Sequence, residues 1–161
     1  MVGGGWTTYV TASVRGEMPA IAALTRTVAA YVPAVRSGDL VFTSGQVPVV
    51  DGKLAARGKV GAEVDPDTAY DLARTCALNA LAAVDDLLGG LASVRRVVKV
   101  VGYVASAPSF TGQPQVVNGA SELLGEVFGD AGKHARSAVG VAALPLDAPV
   151  EVEIVVEVDR T

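Results

Sequence analysis

The chain has 161 residues, half of them apolar and 19% charged. That fits one compact domain, excludes intrinsic disorder and, against roughly 25% charge in an ordinary soluble domain, implies that a partner covers part of the surface. With 13 Lys and Arg against 17 Asp and Glu, a net charge of −4 and only 5% aromatics, neither a polyanionic partner nor a base-stacking platform suits it.

In chain order, residues 1–28 read as an N-terminal arm, with a short strand over Trp6–Val14, ahead of a single domain over 29–161. Tyr31–Val35 and Leu40–Ser44 read as strands joined by the turn Arg36-Ser37-Gly38-Asp39. Asp51-Gly52 is a hairpin signal, because a two-residue type I′ turn needs positive φ at both positions. The clearest helix follows. Asp65 is its N-cap and Pro66 its first residue; Ala69, Leu72, Ala73, Cys76, Ala77, Ala80, Val84, Leu87 and Leu88 recur at helical spacing, and Gly89-Gly90 ends it. Its opposite, wet face carries Asp71, Arg74, Asn79, Asp85 and Asp86.

Val94–Ala105 is Val-rich on both faces beyond Lys99, as a central strand would be. A second helix starts near Pro114 and runs to Phe128, burying Val117, Leu123, Leu124, Val127 and Phe128. The last strands are His134–Ala143 and Val150–Val158; in the latter the valines and Ile154 alternate with Glu151, Glu153 and Glu157. Three strands, helix, strand, helix and two strands predict an α+β sandwich, with two helices on one face of a mixed six-stranded sheet.

The longest uncharged stretch, Val100–Ser121, contains Pro108, Gln113, Pro114, Gln115 and Asn118, which a bilayer would not accept. The N-terminus lacks the charge and apolar run of a secretory signal. A single Cys76 and a single His134 supply neither a disulfide nor a structural zinc site, and no phosphate-binding Gly pattern occurs. The expectation is a cytoplasmic protein without metal or cofactor, touching neither membrane nor nucleic acid. No G-x-S-x-G elbow exists, and His134 is the one residue that could serve a Ser-His-Asp triad as base. Cys76, on the apolar helix face, reads as a small core residue.

Tyr31-Val32-Pro33-Ala34-Val35, Thr43-Ser44-Gly45-Gln46-Val47-Pro48, Gln115-Val116-Val117-Asn118 and Ala135-Arg136-Ser137-Ala138-Val139, followed by Leu144-Pro145 and Val150-Glu151-Val152-Glu153, occur in this order over about residues 29–158. Together they resemble the YjgF/RidA family, also called the endoribonuclease L-PSP family, in a divergent branch. The resemblance implies a chorismate-mutase-like fold, a homotrimer, and clefts between neighbouring subunits that take a small carboxylate-bearing ligand. It also implies hydrolysis of reactive enamines and imines such as 2-aminoacrylate to 2-keto acids and ammonia. Arg136 would hold the substrate carboxylate, and Glu151 would orient or activate the attacking water. Tyr31, Ser44, Gly45, Asn118 and Ala138 would line the cleft; at Ala138 the family's deaminase branch usually has Cys. A homotrimer that only binds 2-keto acids is the alternative, and RNA cleavage, attached to the family name, is disfavoured by the charge.

Overall fold

A computed structural model describes residues 30–160, so the N-terminal arm and its strand at Trp6–Val14 lie outside the described residues. The main sheet has five strands: β1 (Ala34–Ser37), β2 (Leu40–Thr43), β5 (Val94–Ala105), β6 (Ala135–Val141) and β7 (Val150–Val158), in the order β1-β2-β7-β5-β6. All neighbours are antiparallel except β5 and β6, which run parallel and are linked through helix α2 (Gln113–Phe128). Helix α1 (Pro66–Leu88) lies beside α2 on the same side of the sheet.

The expected sixth strand is instead a separate hairpin, β3 (Val49–Val50) with β4 (Lys53–Leu54), turning at Asp51 and Gly52 with φ of 48° and 82°. The chain leaves the sheet because Pro48 has no N–H for a ladder; before it, Gln46 exchanges backbone bonds of 2.8 and 2.9 Å with Val152. The first strand also starts later than expected, at Ala34, since Pro33 cannot donate and instead accepts from Ser44 N–H at 2.8 Å.

Helix α1 begins as its sequence requires. Asp65 accepts from Thr68 N–H at 2.9 Å and from the Thr68 hydroxyl at 2.6 Å, and Gly89 closes the helix at φ 71°. Its Ala-rich stripe meets Val150, Val152, Ile154, Val156 and Val158, all buried. Two positions depart from the helical wheel. Leu87 is exposed, whereas Asn79, expected on the wet face, is only 4% exposed. The reason is that the Asn79 amide caps two carbonyls of the segment entering the hairpin, donating to Val47 at 2.9 Å and Val49 at 3.2 Å.

Close approach fixes the height of α2. A Cβ on Gly119 would overlap the Tyr70 carbonyl of α1, and one on Gly102 of β5 would overlap the Val117 side chain. Among the described residues no helix packs on the other sheet face, where Val35, Phe42 and Val139 are exposed. Among the described residues no helix is long and apolar enough to cross a membrane.

Candidate active site

Register decides which way each candidate points. Arg136 on the edge strand β6 pairs with Val100, a core residue, and so faces the helix layer. There α2 offers Asn118 and Ser121, three residues apart and therefore on one side of the helix. Arg136 Nη1 donates to Asn118 Oδ1 at 2.8 Å and to Ser121 Oγ at 3.1 Å. Ser121 Oγ lies 3.0 Å from His134 Nε2, and His134 Nδ1 lies 2.6 Å from the Gly132 carbonyl.

These contacts spend both hydrogens of Nη1 on neutral acceptors. None of the ion pairs among the described residues involves Arg136. A half-buried guanidinium is thus held in place with its charge uncompensated, and its Nε–H and Nη2–H edge has the planar two-donor shape that matches a carboxylate. Ala138, two residues along, shares this side and packs against the core opposite Gly102 of β5.

Glu151 belongs to a second cluster. Its neighbours Val150 and Val152 are buried under the helices, so Glu151 points to the open face, where it pairs across the ladder with Tyr103. Its carboxylate lies against the backbone of Gly45, where any Cβ would overlap it. Between the Phe42–Val155 and Gln46–Val152 pairs the chain leaving β2 advances four residues and β7 only three. The extra residue makes a bulge at Ser44–Gly45, and Thr43 Oγ1 fills the gap by accepting from Ile154 N–H at 3.0 Å. Burial, and secondarily the charge of Glu153, push the Glu151 carboxyl above the ordinary glutamate range. The Tyr103 phenol is pushed up too, first by burial and then by Glu153, to which it is hydrogen-bonded, and by Glu151.

Ser44 uses its hydroxyl to bind the Val32 carbonyl at 2.6 Å, anchoring the segment that carries Tyr31, itself 61% exposed. Cys76 is fully buried, and burial raises its thiol well above the usual range, so it is an inert core residue.

The structure therefore brings Arg136, Asn118 and Ala138 together on one side of the sheet, and Ser44, Gly45 and Glu151 on the other. Within one chain the two groups do not meet, since β5 separates β6 from β7 and their side chains face opposite ways. Sequence reasoning passed over Ser121, His134 as a partner of Arg136, and Tyr103. The i, i+3 spacing of Asn118 and Ser121 was the available signal for the first.

The sequence profile of the family described as "YjgF/chorismate mutase-like, putative endoribonuclease" matches residues 8–158. Protein TCP17 of Trypanosoma cruzi is 45% identical over 131 residues, covering 81% of this chain and 82% of that protein. The crystal structure of Atu1372 from Agrobacterium tumefaciens superposes with a TM-score of 0.85 at 44% identity, covering 96% of each chain. TdcF of E. coli, crystallised with bound serine, matches with a TM-score of 0.59 at 26% identity over 83% of this chain and 91% of that one.

Proposed function

The chain belongs to the YjgF/chorismate mutase-like family, and from that premise we propose that it hydrolyses enamine and imine intermediates derived from amino acids, giving a 2-keto acid and ammonia. The observation that carries this reading is Arg136, fixed by neutral acceptors with its two-donor edge uncommitted. TdcF, with its bound serine, supports it: serine presents an α-carboxylate, the group such an edge recognises.

In this reading Arg136 holds the carboxylate and the imine carbon lies beside a water. Glu151 takes a proton from that water as the new C–O bond forms, and the imine nitrogen is protonated. The resulting carbinolamine then loses its C–N bond. Glu151 returns its proton to the amine nitrogen, which leaves as ammonia, while the hydroxyl proton passes to the medium and the carbonyl of the keto acid forms. A carboxyl whose proton affinity is raised by burial is a stronger base toward water than an ordinary glutamate.

Because Arg136 and Glu151 face opposite sides of one sheet, the proposal includes assembly: a homotrimer, in the cytoplasm, in which one copy supplies the β6 edge and its neighbour the open face. The uncovered apolar residues Val35, Phe42 and Val139 support such a contact. The test couples the protein to a serine or threonine dehydratase and follows keto-acid release. Faster release, lost in Arg136→Ala, is expected; an unchanged rate with wild-type protein would overturn the reading. Pyruvate binding without any acceleration would make the protein a carboxylate binder instead.

A further inference from the structure

Two serine or threonine hydroxyls in the middle of helices behave differently here. Thr75 of α1 bonds back to its own helix, donating to the Asp71 carbonyl four residues earlier at 3.1 Å, as such side chains commonly do. Ser121 of α2 does not. Its oxygen lies 3.0 Å from His134 Nε2 and 3.1 Å from Arg136 Nη1.

The protons in this chain can be placed from its ends. The Gly132 carbonyl only accepts, so His134 Nδ1 must donate to it, and in the neutral ring Nε2 is then an acceptor. Arg136 only donates. Ser121 lies between, and one arrangement satisfies both neighbours: its proton goes to His134 and its lone pair faces Arg136. The far end is rigid. Gly132 is buried in the 3₁₀ turn Gly129–Gly132, and a Cβ there would overlap the Leu124 carbonyl of α2. The same helix carries Ser121, so the histidine is fixed relative to the serine at both of its nitrogens.

We propose that His134 and Ser121 are positioning residues for Arg136: the imidazole draws the serine proton away from the helix backbone, and the serine oxygen so aimed pins Nη1, turning the Nε and Nη2 edge of the guanidinium outward to a carboxylate. This rests on the carboxylate-binding role of Arg136 proposed above and adds to it how the guanidinium is aimed. Asn118 alone would leave the guanidinium free to swing about a single hydrogen bond.

Two measurements test it. The first needs no ligand: in ¹⁵N-arginine-labelled protein, the Nη signals of Arg136, assigned by their loss in Arg136→Ala, should show restricted rotation. Ser121→Ala and His134→Phe, the latter keeping ring volume without nitrogens, should both restore averaging, whereas Ser121→Thr should not. Unchanged Nη signals in His134→Phe, with thermal unfolding like the wild type, would overturn the proposal.

The second titrates pyruvate. Either Ser121→Ala or His134→Phe should weaken binding about three- to tenfold, the size of one ordinary hydrogen bond, because neither residue touches the ligand. The double variant should be no weaker than Ser121→Ala, because the histidine acts through the serine. Losses that multiply would show two independent effects and overturn the relay. If Arg136→Ala leaves pyruvate binding intact, the carboxylate reading fails, and the Nη signals still decide whether the relay exists.

Discussion

The two faces of the central sheet handle charge in opposite ways. On the helix-covered side, at the β6 edge, a cation is held half-buried by neutral partners: Asn118 and Ser121 bind Arg136, and no carboxylate among the described residues neutralises it. On the open side, Glu151 and Glu153 alternate along β7, and burial together with their mutual repulsion makes Glu151 favour its proton. Under the proposed function the cationic half takes the substrate carboxylate and the acidic half moves the proton, and each half can be disturbed separately.

The largest expected effect comes from emptying the cationic half. Arg136→Ala should weaken pyruvate binding by at least about 100-fold, the loss of two charge-assisted hydrogen bonds of about 1.5–3 kcal/mol each, measured by calorimetry. Arg136→Lys should recover little of this, because an ammonium lacks the planar fork. Glu151→Gln should do the reverse, retaining pyruvate binding while abolishing acceleration of keto-acid release. If both variants lose binding equally, the division between the two faces is false.

Gly45 gives a finer cut within the acidic half. The Cβ of Gly45→Ala would occupy the space of the Glu151 carboxylate, which must move. Turnover should fall about 10- to 100-fold, as expected for a misplaced acid–base group, with KM little altered. A KM effect of the same size would mean that Gly45 also touches the carboxylate-binding half.

How far the sequence revealed these halves follows from what each depends on. The helices and long strands were legible because apolar periodicity, Asp65-Pro66 and Gly89-Gly90 are local signals, and the observed bounds of α1 and β7 coincide with them. Arg136 and Glu151 stood out through their flanking motifs. The alternation around Val150 already put Glu151 on the polar face of its strand, but that Arg136 faces the opposite side was not legible, because it is set by the pairing of Val100 with Arg136, a tertiary fact. Asn79 departs for a similar reason: its Nδ2 donates to carbonyls some 30 residues away in sequence, which no helical wheel contains. The Ser121–His134 pair joins an ordinary helix serine to a residue just outside a strand, and only the Gly132 turn brings them together.

Glu151 also leaves a mark on stability. Its folded pKa is raised, so the folded state binds the proton more tightly than the unfolded chain does. That contribution is fully present below the unfolded glutamate value and is lost as pH rises through the folded one. At neutral pH the wild type bears the cost of a buried, repelled carboxylate, and uncharged Glu151→Gln does not. The variant should therefore melt slightly higher at neutral pH, with the gap closing as pH falls toward the ordinary glutamate range. A gap independent of pH would assign the difference to packing rather than charge.

The smallest effect separates the two causes of that raised pKa. Burial is the larger and the charge of Glu153 the smaller. In Glu153→Gln the repulsion disappears while the enclosure of Glu151 by Gly45 and Tyr103 remains, so the acid limb of the kcat/KM profile should move to lower pH but stay above the ordinary glutamate range. Tyr103 loses a charged acceptor in the same variant, and its phenol should titrate lower as well, which absorbance near the alkaline end would follow. If the acid limb returned fully to the ordinary range, repulsion along β7 would be the dominant cause and the burial against Gly45 incidental. If it did not move at all, Glu151 would not be the group whose ionisation the profile reports, and the acid–base role would have to pass to another residue of the open face.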